Sequence, residues 1–324
     1  EGVVTEQDKF ACRMGYYLGS RRLTGCHSHA SPLDMNGGIA QSCNAYFANV
    51  YRRIIDKYKD PAEGMNVWSN HVKSFGLGDY LGYDLKIGNK GRIPDGDFYD
   101  KWYGKNRWVS TYNISNAIGQ GEVEATPIQL ANMVAAIGNR GYFYTPHIIK
   151  KIEGDTIPSK YTRAKHTTID KQNFEPIVQG MFDVYNKGTA VALQVKGIEI
   201  CGKTGTAENF MKIDGVKTQL TDHSIFVAFA PKDNPKIALA VFVENGYWGS
   251  RFAGKMASLM IEKYINDHIT RTDLEDWILR HSLEDEYAKP YSGEPFRINS
   301  ETMPKVIEEN RYQQLKAHLK TISN

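Results

Sequence analysis

The run Cys201-Gly202-Lys203-Thr204-Gly205-Thr206 constrains this chain most, because it heads a series of strand-like stretches. After it come Ser224-Ile225-Phe226-Val227-Ala228-Phe229-Ala230-Pro231 and then the stretch KIALAVFVENG at 236–246. Apolar runs of this length, parted by turn residues such as Lys232-Asp233-Asn234-Pro235, predict successive antiparallel strands over 198–206, 223–230 and 236–245. A lysine and two hydroxyls on a strand broken by glycine suit a site that receives an anionic, extended substrate. Thr204 and Thr206 alternate with Gly205, so both hydroxyls face one side of the strand. Gly205 carries no side chain, so a substrate backbone can approach closely.

A second motif lies far upstream, in Gln41-Ser42-Cys43-Asn44-Ala45-Tyr46-Phe47. Ala45, Val50 and Ile54 have helical spacing, and the reading is one helix over 38–58, capped by Asp34 or Asn36. Ser42 and Asn44 are two apart, so both reach one cleft while Cys43 points elsewhere. Between the motifs stands Ile118-Gly119-Gln120-Gly121-Glu122, then Ala125-Thr126-Pro127-Ile128-Gln129-Leu130. Thr126 reads as an N-cap with Pro127 at the first helical position. Further helices are expected at 61–75, 127–137, 171–186 and 254–265, and strands around a turn at Pro146 over 141–152. Residues 80–107 read as an irregular surface excursion, and 1–35 as a lead-in with little periodicity. From Asp267 the chain becomes highly charged, with Pro290-Tyr291-Ser292-Gly293-Glu294-Pro295 and candidate helices at 272–280 and 304–320.

SCNAYF, IGQGE with ATPIQLA, and KTGTAEN, in this order and spacing, resemble the class B penicillin-binding proteins, most closely the elongation-type penicillin-binding protein 2. The resemblance runs over about 12–265. It implies an α+β fold of the penicillin-binding and serine β-lactamase type, an antiparallel sheet with helices on its faces. It makes 1–266 the C-terminal part of a transpeptidase domain and 267–324 a charged extension. The implied activity is peptidoglycan D,D-transpeptidation, crosslinking stem peptides through an acyl-serine, with β-lactams as suicide substrates. The implied location is the outer face of the bacterial inner membrane, beside a membrane glycosyltransferase partner, with no cofactor for catalysis. Ser42 would relay a proton to the leaving amine, and Asn44 would hold the substrate's amide carbonyl. Lys203 would keep the site positive and hydrogen-bond Ser42. Thr204 and Thr206 would bind the terminal carboxylate, and the Thr206 N–H would serve the oxyanion hole.

The family's third signature, Ser-x-x-Lys, is absent from these 324 residues. No lysine has a serine three places before it; only Thr162–Lys165, Thr168–Lys171 and Thr302–Lys305 come near. The expectation is a C-terminal part of the domain, without the nucleophile helix and two strands, and inactive alone. A sheet edge left unpaired in this way invites self-association. The alternatives are a β-lactam sensor or hydrolytic β-lactamase, and a non-catalytic, zinc-stabilised interaction module. The long stretch beyond Ser42 argues against a compact β-lactamase.

Composition agrees with a globular domain: 41% hydrophobic and 24% charged residues can build a substantial core. A net charge of +3 without a clustered basic face gives no case for nucleic acid. No apolar run is long enough to span a bilayer.

Cys12, Cys26, His29 and Cys43 form a separate constellation, Cys-x13-Cys-x2-His-x13-Cys. Three thiolates and an imidazole make a closed tetrahedral set for structural zinc. His27 is an alternative ligand. A Cys12–Cys26 disulfide, natural in an extracytoplasmic protein, and four unlinked, packed thiols are the competing readings.

Overall fold

Helix starts in the N-terminal half are written into single side chains. The computed structural model describes residues 1–85, 88–292 and 303–322. These form two compact units. The first comprises Glu1–Val191, Glu199–Lys203 and Ala228–Leu239; the second comprises Ala192–Ile198, Thr204–Val227 and the chain from Ala240 onward.

The first unit opens with the hairpin β1 (Gly15–Leu18) and β2 (Arg21–Gly25), followed by α1 (Met35–Ala40), α2 (Asn44–Asp56) and α3 (Pro61–Lys73). Then come α4 (Gly96–Tyr103), α5 (Pro127–Gly138), β3 (Tyr142–Phe143), α6 (Ser159–Thr162), β4 (Lys165–His166) and α7 (Phe174–Asn186). Asp34, Asp60 and Asp95 cap α1, α3 and α4 by accepting from Gly37, Ala62 and Phe98 N–H. Thr126 and Gln129 form a reciprocal capping box at α5.

The core of this unit lies along α2. Ala45, Tyr46, Ala48, Tyr51 and Ile55 are buried against Met65, Tyr99, Trp108 and Ile114. Glycine lets the backbones close in. A Cβ on Gly64 would stand 2.3 Å from the Ile55 carbonyl oxygen, and one on Gly188 would stand 2.2 Å from that of Ala40. The Thr189 N–H and the Gln41 side chain then bond to Ala40 O and Lys187 O, so the end of α1 is pinned to the end of α7.

Three long strands follow the expected order: β5 (Cys201–Ala207), then, after the hairpin β6 (Phe210–Ile213) and β7 (Val216–Gln219), β8 (His223–Ala230) and β9 (Ile237–Val243). Their sheet runs β5-β8-β9, which makes β5 a terminal strand. The second unit also contains α8 (Ala253–Asn266), α9 (Thr272–Arg280), β10 (His281–Ser282), α10 (Glu284–Ser292), β11 (Lys305–Val306) and α11 (Glu309–Ile322). Fully buried Glu262 ties α8 to the charged extension. It accepts from Thr270 N–H at 2.9 Å and from Arg271 Nε at 2.8 Å. No helix among the described residues is long and apolar enough to cross a membrane.

Several expectations need correction. The single helix over 38–58 is two helices broken at residues 41–43. The strands expected over 141–152 reduce to the two-residue β3, paired with β4. The excursion at 80–107 contains α4, and the lead-in contains the β1–β2 hairpin. Gly293, Glu294 and Pro295 of the tail segment lie outside the described residues.

Candidate functional site

Ser42 stands at the junction of α1 and α2, and the hydrogen bonds there explain the break. The Cys43 N–H bonds to Gly38 O at 2.9 Å and the Ser42 N–H to Ile39 O at 3.1 Å. This is the Schellman pattern, in which the residue after the C-cap is left-handed and usually glycine. Here that residue is Ser42, with φ +53°. A side chain in this region costs about 1–2 kcal/mol, and such strain concentrates where geometry serves function. Cys43 then starts α2 at once, its Sγ accepting from Tyr46 N–H at 3.4 Å. Ser42 is thus held from both sides. Glycine at this position relieves the strain, so in a Lys203→Met background, where no buried ammonium is left without its acceptor, Ser42→Gly should raise stability by about 1 kcal/mol. A urea midpoint that moves up at unchanged slope is the expected result; a fall would mean that the Ser42 side chain stabilises the junction.

Lys203 Nζ donates to Ser42 Oγ at 2.6 Å, joining two motifs that lie 161 residues apart in sequence. Burial around the ammonium pushes its pKa down to about 8, because desolvation disfavours the charged form. An Oγ that accepts from Lys203 has its own proton left to donate elsewhere.

Asn44 is placed differently from Ser42. At the first position of α2 its Nδ2 donates to Gly25 O at 2.8 Å, fixing the end of β2 to the helix. Glu122 of the IGQGE segment is also anchored: Tyr99 OH donates to it at 2.8 Å, and Asn116 Nδ2 donates to Tyr99 OH at 2.7 Å. Gly119 and Gly121 both have positive φ, near +72° and +71°, so glycine is needed to shape this turn.

In the second unit, Thr206 is the most exposed residue of β5, and its Oγ1 accepts from Gly249 N–H at 3.3 Å. A Cβ on Gly249 would lie 2.6 Å from Gly205 O and 2.8 Å from Gly205 N. The turn after β9 is therefore pressed onto the Lys-Thr-Gly-Thr strand, a contact no sequence motif announces.

The thiol constellation assembles. The ligand atoms of Cys12, Cys26, His29 and Cys43 all lie within 4.8 Å of one another, and all four cysteines of the chain are free thiols. Cys26 Sγ is 3.3 Å from His29 Nε2. His29 Nδ1 is 2.7 Å from Ala30 O, which places the proton on Nδ1 and leaves the Nε2 lone pair facing the sulfurs. The Cys26 thiol is held down to about 4, first by its hydrogen bond with Cys43, and the same bond together with burial pushes Cys43 up. One thiolate forms easily here, while the next meets its charge; a divalent cation removes that conflict. The donor set therefore fits structural zinc, with His29 rather than His27 as the imidazole.

Residues 1–263 match the family described as "Penicillin binding protein transpeptidase domain". The chain is 30% identical over 280 residues to peptidoglycan D,D-transpeptidase MrdA of Haemophilus influenzae, covering 82% of this chain and 40% of that protein. It is 31% identical over 236 residues to MrdA of Acinetobacter baumannii, covering 68% of this chain and 33% of that protein. The chain thus spans at most 40% of the length of these relatives. Among solved structures, Pseudomonas aeruginosa PBP2 in complex with WCK 5153 aligns with a TM-score of 0.66 at 26% identity, over 82% of this chain and 55% of that one. Helicobacter pylori PBP2 in complex with MreC shares the fold, with a TM-score of 0.63 at 23% identity, over 82% of this chain and 46% of that one.

Proposed function

This chain belongs to the penicillin binding protein transpeptidase domain family, and we propose that it is the part of a peptidoglycan D,D-transpeptidase that protonates the leaving group and binds the substrate's terminal carboxylate. The observation that carries this reading is the 2.6 Å bond from Lys203 Nζ to Ser42 Oγ.

The reaction would run through an acyl-serine. A serine of a Ser-x-x-Lys sequence, supplied by a segment outside these 324 residues, attacks the carbonyl carbon of the penultimate D-alanine. Its proton passes to a neighbouring base. As the C–N bond breaks, Ser42 gives its proton to the departing D-alanine amine and is reprotonated from the same network. Lys203 steadies Ser42 and draws the substrate carboxylate, which the hydroxyls of Thr204 and Thr206 receive. The Thr206 N–H supplies one oxyanion donor. Asn44 serves by fixing the start of α2, and it reaches the substrate amide only if its bond to Gly25 is given up. A membrane glycosyltransferase partner and an extracytoplasmic location accompany this reading as what the family resemblance implies.

A second reading, a zinc-stabilised binding module without catalysis, is favoured by the thiol cluster alone. Labelling with a fluorescent penicillin separates the two. The 324-residue chain should remain unlabelled, and a version extended upstream through the Ser-x-x-Lys should label. Labelling of the short chain would remove the proposal that its nucleophile lies elsewhere. Failure of both would favour the module.

The cluster is proposed as a structural metal site, with Cys12, Cys26, His29 and Cys43 as ligands. Bound zinc would supply a fixed tetrahedral node, and Cys43 would carry that rigidity to the residue beside Ser42.

A further inference from the structure

The charged extension reads in sequence as an appendage without chemistry, yet it buries a carboxylate. Glu286 on α10 is 3% exposed. It accepts from Thr221 Oγ1 at 2.6 Å, from Tyr247 OH at 2.5 Å and from Lys289 Nζ at 2.5 Å. A carboxylate so deeply buried is tolerated only when its oxygens are satisfied this fully.

Its partner Tyr247 lies in the turn after β9. Asn245 and Tyr247 both have left-handed backbones, with φ +52° and +72°. Two such residues within three positions make a strained turn, which persists only where its surroundings over-determine it. The restraints are visible. The Tyr247 N–H bonds to Asp222 O at 2.9 Å, and Asn209 Nδ2 donates to Asn245 Oδ1 at 2.9 Å. Ser224 Oγ donates to Trp248 O at 2.8 Å and accepts from Ala253 N–H at 3.1 Å. The Arg251 guanidinium lies over the rings of Tyr247 and Trp248, 4.4 and 4.6 Å from their centroids. Two residues beyond Tyr247, Gly249 meets Thr206 Oγ1 and the Gly205 backbone.

We propose that Glu286 is a positioning residue: from the extension it clamps the turn at 245–251 against Gly205 and Thr206, and so sets the backbone of the strand that binds substrate. The extension acts on the site without touching substrate. The functional half of this inference rests on the oxyanion role proposed for the Thr206 N–H.

Amide hydrogen exchange on the 324-residue chain tests the clamp without needing activity. In Glu286→Ala, amides at 204–207 and 247–251 should exchange about tenfold faster or more, the expected loss for a hydrogen bond to a charged group. Amides of α2 and α5 should not change. Glu286→Gln, which still offers one oxygen to Tyr247 or Thr221, should restore part of the protection. Unchanged exchange at 204–207 overturns the proposal. If Glu286→Ala fails to fold, Tyr247→Phe, which deletes one donor, decides by the same segments. In the upstream-extended protein, Glu286→Ala should lower the penicillin acylation rate constant about tenfold while the fraction of molecules that label stays the same. A reduced labelled fraction at an unchanged rate constant would mark Glu286 as merely structural and sink the inference. If the unmodified extended protein does not label at all, it is the functional reading that fails, and the exchange result still judges the clamp.

Discussion

In the upstream-extended protein, Lys203→Ala should lower the rate of penicillin acylation by about a hundred- to a thousandfold. The variant removes the donor that holds Ser42 Oγ at 2.6 Å and the positive charge that would meet the carboxylate. Stopped-flow acylation measures it, and a loss below threefold would show that Ser42 works without Lys203. The pH dependence sharpens the test. Burial sets the Lys203 pKa at about 8, so the rate should fall as pH rises through that value. Lys203→Arg keeps its charge there and should lose the fall, at a lower overall rate because a planar fork fits this site poorly. Stability moves the opposite way. Between pH 8 and the ordinary lysine value of 10.5 the unfolded chain holds more of the proton than the folded one. Stability from this group therefore rises with pH across that window, and the burial penalty is fully present below it. Lys203→Met should flatten that rise in urea titrations.

Zinc removal gives the second large effect. Protein purified without chelator should contain one zinc per chain, and stripping it should lower the unfolding temperature by about 8–16 °C. That range corresponds to a ligand present at about a thousand times its dissociation constant. Cys43→Ser should reproduce the fall and abolish the response to added zinc. Serine caps a helix at least as well as cysteine, so the loss would report the metal rather than the start of α2. His27→Ala should keep the metal and His29→Ala should lose it, since His29 Nε2 is the nitrogen beside Cys26 Sγ. Zinc-free protein with a mass two hydrogens short would replace the metal by a disulfide.

The strands and most helices are legible in the sequence because local signals and tertiary demand agree. Thr126, Pro127 and Gln129 spell out the start of α5, and the structure uses all three. The order of β5, β8 and β9 comes from apolar runs and turns alone. The break at Ser42 is not legible, because apolar spacing continues across it. The end of α1 is set by tertiary contacts: the Ala40 carbonyl is taken by Thr189 N–H, and glycines at 180 and 188 let α7 press against Ile39 and Ala40. The β6–β7 hairpin, absent from the expected strands, does carry a local signal. Asp214-Gly215 sits between its strands with φ +50° and +81°, the pair a two-residue hairpin turn requires. Of the site, the Ser42–Lys203 pair is readable from motif order. The Asn44–Gly25 bond is not, because it depends on where the hairpin β1–β2 comes to lie. Nor is the Glu286 contact, since nothing in a charged tail marks which of its carboxylates will be buried.

The left-handed backbone at Ser42 also limits which residues can stand at this position. By side-chain chemistry alone, threonine is the nearest substitute for a proton-relaying serine. By backbone it is among the worst, since a β-branched residue at φ +53° is a steric outlier. The residues that suit the conformation best, glycine and asparagine, lack the hydroxyl. For the proton-relaying role proposed for Ser42, the shape of a helix junction therefore narrows substitution at this position as much as the chemistry does, and variation that preserves that role is pushed toward residues around it.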